Sequence, residues 1–192
     1  YSLGEALDIL EDPQGALSIE EVTSGRYEDK FLPGRDLNPN FGFTDSAYWV
    51  RFRIESQSKK NCAWLLALQY PHLDKIELYV PDPNGGFSLR KAGDLVPFPQ
   101  REYRHRYFLF RVEIVPDSGP SAFYMRLESR GPVQFPLALM ADSAFLTADH
   151  KEQFALGIYY GIMLVMALYN FFIFFSVRDK SYLYYVLYIV SY

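Results

Sequence analysis

Trp49, Arg51 and Arg53 stand at alternate positions, so their side chains are predicted to share one face of a β-strand. An indole ring can stack on the C–H surface of a sugar while its N–H donates a hydrogen bond. The planar guanidinium of arginine suits carboxylates, phosphates or paired hydroxyls. We therefore predict that Trp49 and Arg51 contact a ligand. The alternative is that Trp49 packs beneath a loop and the arginines pair with Glu77 or Glu128 across the sheet.

A second candidate site is the densest positive cluster of the chain, which holds Arg101, Arg104, His105 and Arg106 beside the acid Glu102. An acidic sugar or another anion would find complementary charge there, and we predict ligand contacts from Arg101, His105 and Arg106. Protonation of His105 would make such binding pH-dependent. The alternatives are a basic loop edge that meets anionic lipid headgroups and a solvated run of charges.

Two further polar residues, Glu128 and Gln134, are predicted at the rim of the face that carries Trp49. There they can accept and donate hydrogen bonds to a small ligand. Asp94 follows Gly93 and is predicted to be a structural turn residue rather than a ligand contact.

The chain lacks the patterns of a catalytic or metal site. His72, His105 and His150 lie far apart and lack metal-ligand spacing, so no metal is expected. Neither a nucleophile–base–acid set nor a phosphate-cradling glycine loop is found, so we expect no enzyme activity and no cofactor here. Residues 1–150 hold 16 Lys and Arg against 21 Asp and Glu, which argues against nucleic acid. Cys62 is the single cysteine, so no intrachain disulfide can form.

The elements that must position these residues are predicted to be β-strands. Beyond the loop-rich residues 1–45, apolar residues recur with a period of two or form short continuous runs. These patterns predict strands at 48–54, 62–70, 75–80, 106–115, 122–128 and 133–140. Asn84-Gly85 signals a hairpin, and no helical period competes before Ser143. Residues 1–142 are therefore predicted to form an all-β antiparallel sandwich, a jelly roll like those of carbohydrate-binding modules.

The remainder of the chain is predicted to enter a membrane. Residues 154–177 are 24 residues without a charge, enough for about 36 Å of helix against about 30 Å of hydrocarbon. We predict a first transmembrane helix there, after a linker helix at 143–153. The basic turn at 178–180 permits only a helical hairpin, and 181–192 is predicted to start a second, truncated transmembrane helix. The positive-inside rule places the turn in the cytoplasm and residues 1–150 in the periplasm.

Short strings along the chain carry a family resemblance through their order and spacing. In the first part they are Tyr48-Trp49-Val50-Arg51-Phe52, Gly93-Asp94-Leu95-Val96-Pro97-Phe98, His105-Arg106-Tyr107-Phe108 and Arg126-Leu127-Glu128-Ser129-Arg130-Gly131. In the membrane part they are Gly157-Ile158-Tyr159-Tyr160-Gly161-Ile162, Met166-Ala167-Leu168-Tyr169-Asn170 and Arg178-Asp179-Lys180-Ser181-Tyr182-Leu183-Tyr184-Tyr185. The chain resembles the 7TMR-DISM receptors, bacterial seven-transmembrane receptors with diverse intracellular signalling modules. Residues 1–142 resemble their type-2 extracellular domain, and 150–192 resemble the opening of their seven-helix domain.

The resemblance implies a periplasmic jelly-roll sensor of the bacterial inner membrane that binds a carbohydrate or a similar small molecule. In the family the signal passes through seven helices to a cytoplasmic output module, such as a diguanylate cyclase or a histidine kinase, which would lie beyond Tyr192. The expected partners are a small-molecule ligand and membrane lipid. The alternative is an interaction module that forms a homodimer or regulates a partner receptor without a small ligand.

Overall fold

A computed structural model describes residues 1–55, 62–82, 85–114 and 119–191. The chain divides into two compact units, Tyr1–Asp142 and Ser143–Tyr192. The first unit is built mainly from antiparallel strands and the second from two helices. Asn84 of the predicted hairpin and Val115 of a predicted strand lie outside the described residues.

The largest sheet of the first unit has six antiparallel strands. They are β1 (Asp8–Asp12), β2 (Leu32–Pro33), β4 (Ala47–Ile54), β6 (Lys75–Pro81), β7 (Phe87–Ala92) and β9 (Ser121–Glu128). Their spatial order is β2-β1-β4-β9-β6-β7. The central strands β4 and β9 pair over seven residues, from Tyr48 opposite Leu127 to Ile54 opposite Ser121.

Two smaller antiparallel sheets complete this unit. The first has three strands in the order β11-β5-β8, where β5 is Cys62–Leu68, β8 is Phe108–Ile114 and β11 is Leu137–Met140. The second pairs β3 (Asn40–Phe43) with β10 (Pro132–Gln134). The pairing of Gln134 with Asn40 follows a register shift after Val133.

The main hydrophobic core consists of alternate residues from these strands. On β4 they are Tyr48, Val50, Phe52 and Ile54, and the ring of Phe52 stacks on that of Phe123 at 5.4 Å between centroids. Matching sets come from the six-stranded and three-stranded sheets: Ile76, Leu78, Phe123, Met125, Leu127, Leu66, Leu68, Phe108, Phe110 and Val112. The predicted antiparallel sandwich is therefore confirmed, whereas its jelly-roll variant stays a prediction.

Several details of the sequence interpretation are wrong. Besides the predicted loops, residues 1–45 contain β1, β2, β3 and a short helix, α1 (Ile19–Thr23), so a helix does precede Ser143. The Ser18 hydroxyl and the Glu21 carboxylate form a reciprocal capping box at the start of α1. The predicted strand at 133–140 is two strands, since the chain passes from one sheet to another between Gln134 and Leu137. These elements are only two to five residues long, too short for periodicity to reveal.

A segment between β1 and β2, residues 13–31, covers the outer face of the six-stranded sheet; we call it the strap. Val22 and Phe31 of the strap form a second buried cluster with Leu10, Trp49 and Tyr124 of the sheet. Both faces of the six-stranded sheet are therefore buried over part of its area.

The second unit contains α2 (Asp142–Val177) and α3 (Lys180–Ser191). The predicted linker helix and membrane helix are one continuous helix of 36 residues, long and apolar enough to cross a membrane. Arg178 ends α2 in the left-handed region, at φ 58°, and its N–H donates to the carbonyl of Phe174. The carboxylate of Asp179 then accepts a hydrogen bond from the Ser181 N–H at 2.9 Å, at the start of α3.

Gly93 offers a test of the packing between neighbouring turns. Its φ is +119°, and a Cβ at this position would lie 2.3 Å from the carbonyl oxygen of Asp74. We expect Gly93→Ala to lower the free energy of unfolding by about 3 kcal/mol or more, because backbone strain adds to a steric clash. Gly85→Ala is the control, since Gly85 has a φ of +91° but open space around it.

The control substitution introduces backbone strain alone and is expected to lower the free energy of unfolding by about 1 kcal/mol. Both tryptophans of the chain, Trp49 and Trp64, belong to the first unit. Denaturant unfolding of the detergent-solubilised chain, followed by tryptophan fluorescence, therefore reports on this unit. Equal decreases in the free energy of unfolding for the two variants would contradict the close approach of Gly93 to Asp74.

Candidate functional site

Trp49 is not on an open face. Its side chain is 0% exposed and lies beneath the strap, where its ring stacks on that of Tyr79 at 5.4 Å with an interplanar angle of 30°. The indole Nε1 has no hydrogen-bond partner among the described residues. Trp49 is therefore packed beneath a segment distant in sequence, as in the alternative interpretation, and its ring has no open face for the predicted ligand contact.

Arg51 is buried and fastens the strap to the sheet. Its Nε and Nη2 donate to one oxygen of Asp8 at 3.1 and 2.9 Å, and its Nη1 donates to Glu28 at 2.5 Å. The guanidinium also lies over the ring of Phe31, 4.4 Å from its centroid. The hydrogen bond from Arg51 lowers the pKa of Glu28, and the same bond raises the pKa of Arg51. Arg51 is ion-paired as in the alternative interpretation, but its partners are Asp8 and Glu28.

Glu77 and Glu128 are instead partners of a second buried arginine, Arg126. Its Nη1 lies 2.9 Å from Glu128 and 3.6 Å from Glu77, and its Nη2 donates to the carbonyl of Gly15 at 2.8 Å. Gly15 belongs to the strap, so Arg126 holds the beginning of this segment as Arg51 holds its end. The carboxylate of Glu128 is therefore engaged within the protein, although part of the side chain remains accessible.

The basic cluster is also engaged internally. Arg101 donates to the Asp94 carboxylate at 3.2 Å and lies over the rings of Phe98 and Phe108, 5.4 and 4.8 Å from their centroids. Asp94 is thus a structural residue, as predicted. These contacts position Arg101 through packing and an ion pair, and the prediction of ligand contact from it stays a prediction.

His105 and Arg106 both contact Tyr107. The Nδ1 of His105 accepts a hydrogen bond from the Tyr107 N–H at 3.0 Å, and the Arg106 guanidinium lies 4.9 Å from the Tyr107 ring centroid. This geometry makes Nδ1 the acceptor, so a proton on the neutral ring belongs on Nε2. The predicted site residues therefore lie on several different elements, and only Trp49, Arg51 and Glu128 share one sheet face.

A different part of the first unit has the geometry of a binding site. A cleft of about 370 Å³ opens beside β1, β3 and β4. Its lining residues are Ile9, Glu11, Leu32, Pro33, Gly34, Arg35, Asp36, Pro39, Asn40, Phe41 and Tyr48. Ile9 and Glu11 come from β1, and Glu11 pairs in register with Tyr48 of β4, so these side chains share the inner face of the sheet.

Aromatic rings form one wall of the cleft. Phe41 stacks on Tyr48 at 4.3 Å between ring centroids, with an interplanar angle of 29°, and also contacts Phe135 at 5.7 Å. Tyr48 is buried, whereas Phe41 remains 40% exposed. The rings are therefore fixed by packing while part of Phe41 stays available to a ligand.

Polar groups surround this aromatic wall. The Glu11 carboxylate accepts a hydrogen bond from the Ser46 hydroxyl at 2.7 Å and a longer one from the Tyr48 hydroxyl at 3.5 Å. Burial raises the pKa of Tyr48, so its hydroxyl keeps its proton at neutral pH. Arg35 and Asp36 lie at the exposed rim. Convergent polar groups beside an apolar ring face are typical of small-molecule sites.

Two other clefts are less suited to a sugar. One of about 540 Å³ lies beside α1, but its rings, Tyr79 and Phe87, pack against Trp49 and Tyr124. Another of about 380 Å³ includes Glu128 and is lined mainly by charged side chains, with Leu95 and Ser129 but without an aromatic ring. Within the described ranges, no group of three His, Cys, Asp or Glu side chains could hold a metal ion.

The aromatic cleft was not predicted from the sequence, although one turn signal in the sequence lies close to it. Asn38-Pro39-Asn40 marks a turn, and Phe41 follows it directly in a strand of only four residues. An aromatic residue at the end of a turn is ambiguous, because neither its exposure nor its neighbours can be read from so short a pattern. Gln134 lies on β10 next to the cleft, because it pairs in register with the cleft residue Asn40.

Comparison with known families matches nearly the whole chain. Residues 4–141 match the family model described as 7TMR-DISM extracellular 2. Residues 152–192 match the model described as 7TM diverse intracellular signalling. A search of curated proteins finds no match.

Substituting Arg51 tests whether it fastens the strap. Arg51→Met removes the ion pairs with Asp8 and Glu28 but keeps an apolar stem, and we expect a loss of about 1–3 kcal/mol in the free energy of unfolding. Arg53 is two residues along the same strand and exposed, so Arg53→Met should change this value by no more than about 0.5 kcal/mol. Tryptophan fluorescence during denaturant unfolding measures both. Similar values for the two variants would contradict the role assigned to Arg51.

The Arg51–Glu28 pair also predicts sensitivity to acid. Because the pKa of Glu28 is lowered in the folded chain, its contribution is present above the unfolded value of about 4.3 and is lost as the pH falls through the folded pKa. The denaturation midpoint of the wild type should therefore fall more steeply across this acid range than that of Glu28→Gln. Glu5→Gln, at an exposed site, should follow the wild type. Parallel curves for the wild type and Glu28→Gln would refute the expectation.

Proposed function

The chain belongs to the 7TMR-DISM receptor family, and from this membership together with the aromatic cleft we propose that its sandwich domain binds a carbohydrate. It is a membrane signalling receptor whose extracellular sensor domain lies in the periplasm and is followed by a transmembrane helix. The observation that carries the carbohydrate proposal is the stacked pair of Phe41 and Tyr48 beside the ordered carboxylate of Glu11.

The chemistry of the cleft supports this ligand class. A pyranose ring has an apolar C–H face and an equatorial edge of hydroxyls, so it suits an aromatic surface with hydrogen-bonding groups around the edge of the stacked sugar. Phe41 supplies the partly exposed ring, while Glu11 and Asn40 supply acceptors and an amide donor. The hydroxyls of Ser46 and Tyr48 hold the Glu11 carboxylate in place, which reduces the ordering that binding requires.

Signalling follows if the ligand distinguishes two receptor conformations. The cleft joins β1 and β4 of the six-stranded sheet to β3 of a separate two-stranded sheet. A sugar in contact with both sheets would stabilise the arrangement in which they are closest, and only such a difference in affinity can shift the equilibrium. We propose that the membrane helices pass this shift to a cytoplasmic output module.

Two phenylalanines of β3 provide a matched test. Phe41 lines the cleft, whereas Phe43 does not line it and is 81% exposed. We expect a neutral saccharide that binds the full detergent-solubilised chain to bind Phe41→Ala about tenfold more weakly, because the stacking surface is lost. Phe43→Ala should bind within about twofold of the wild type. Calorimetric titration over a panel of neutral and acidic saccharides measures the dissociation constants.

The same experiment separates the proposal from an interaction module. Leu32, Leu37 and Phe43 are exposed apolar residues of the chain segment that leads into β4, and they would suit a protein partner. If no saccharide on the panel binds and the chain self-associates in a manner that Phe43→Ala abolishes, the domain is an interaction module. Binding that is equal in the wild type and Phe41→Ala would place the sugar elsewhere.

A further inference from the structure

We propose that the cleft selects a ligand that carries a protonated amine beside a sugar ring, that is, an amino sugar, over neutral and acidic sugars. This inference rests on the proposed carbohydrate function and adds a charge preference to it. It is carried by the position of the Glu11 carboxylate next to the stacked rings of Tyr48 and Phe41.

The charges that line the cleft are acidic in balance. Glu11 and Asp36 are carboxylates, and Arg35 is the one cationic side chain among the lining residues. Arg35 and Asp36 stand at the exposed rim, where solvent screens their charges. Glu11 is exposed as well, but the hydroxyls of Ser46 and Tyr48 fix its carboxylate on the inner face of β1. A bound ligand would therefore meet a negative charge held in place by two hydrogen bonds, together with a positive charge at the rim.

The aromatic wall favours the same sign of ligand charge. The face of an aromatic ring carries a negative quadrupole and attracts cations. The hydroxyl of Tyr48 contacts Glu11, and the Tyr48 ring lies 4.3 Å from that of Phe41. An ammonium group bound to Glu11 would consequently lie close to the aromatic wall, so the carboxylate and the rings act on one cation together.

An acidic sugar has no comparable partner in this cleft. The arginines of the basic cluster lie on another loop, and Arg101 is already paired with Asp94. The buried Arg51 is paired with Asp8 and Glu28. A sugar carboxylate in the cleft would face Glu11 without a fixed cation to offset the repulsion. This reverses the preference for acidic sugars that the basic cluster suggested.

The test compares three sugars with the same ring and different charges. Glucosamine, glucose and glucuronate are titrated calorimetrically into the full detergent-solubilised chain, at low salt and at a pH where the amine is protonated. We expect glucosamine to bind about fivefold more tightly than glucose, and glucuronate to bind more weakly than glucose. Added salt should reduce the differences.

Glu11→Gln keeps a hydrogen-bond acceptor for Ser46 and removes the charge. This variant should bind glucosamine and glucose with affinities within about twofold of each other. Glu113→Gln removes one exposed carboxylate from β8, outside the cleft, and should keep the wild-type preference. The pair separates the local charge of Glu11 from the net charge of the chain.

The outcomes distinguish this inference from the proposed function. Binding of glucose that depends on Phe41, without any preference for glucosamine, would overturn the amine preference and leave the carbohydrate site standing. A glucosamine preference that survives in Glu11→Gln would also overturn it. If no sugar of the series binds, in the wild type or in either variant, both the site and its preference fail.

Discussion

The six-stranded sheet carries large apolar side chains on both faces, and neither face can be left in water. The inner face packs against the three-stranded sheet to form the main core. The outer face presents Trp49 and Tyr124, which require a second cover. The strap supplies this cover, although its short helix α1 has little stability of its own.

Two buried arginines define the position of the strap on the sheet. Arg51 pairs with Asp8 within the sheet and joins the sheet to Glu28 near the end of the strap, and Arg126 holds the carbonyl of Gly15 near its beginning. Apolar contacts alone would tolerate a shift of the strap along the sheet, whereas a guanidinium requires its acceptors at defined positions. Asp8, Glu28 and Glu128 remain partly solvated, which reduces the desolvation penalty of their ion pairs, whereas Glu77 is buried beside Arg126.

Because the strap covers the outer face, Trp49 and Tyr124 offer no accessible aromatic surface there. Within the cleft the partly exposed ring is that of Phe41, at an edge of the sandwich where the inner face of β1 and β4 opens toward β3. The cleft is lined by residues of four strands, β1 to β4, and of the connection after β2, so its shape depends on how two sheets meet. A site built across two sheets is suited to sensing, because the ligand then affects their relative arrangement.

The sequence by itself determined the features that depend on local pattern. Alternation in strands such as β4 predicted the sandwich and the face of each residue, and 24 residues without charge predicted the membrane helix. These signals are reliable because burial on one face of a strand repeats every two residues. The strings of the family resemblance were equally local, and the family models confirmed them.

Only the tertiary structure decided which polar face stays open and which partners each charge has. Arg51 donates hydrogen bonds to Asp8, which is 43 residues away in the sequence, and Arg126 donates to Gly15, which is 111 residues away. The period of a strand shows that Trp49 and Arg51 share a face, but it cannot show that a distant segment covers that face. The cleft was hidden for the same reason, since Glu11, Phe41 and Tyr48 become neighbours only when β1, β3 and β4 are assembled.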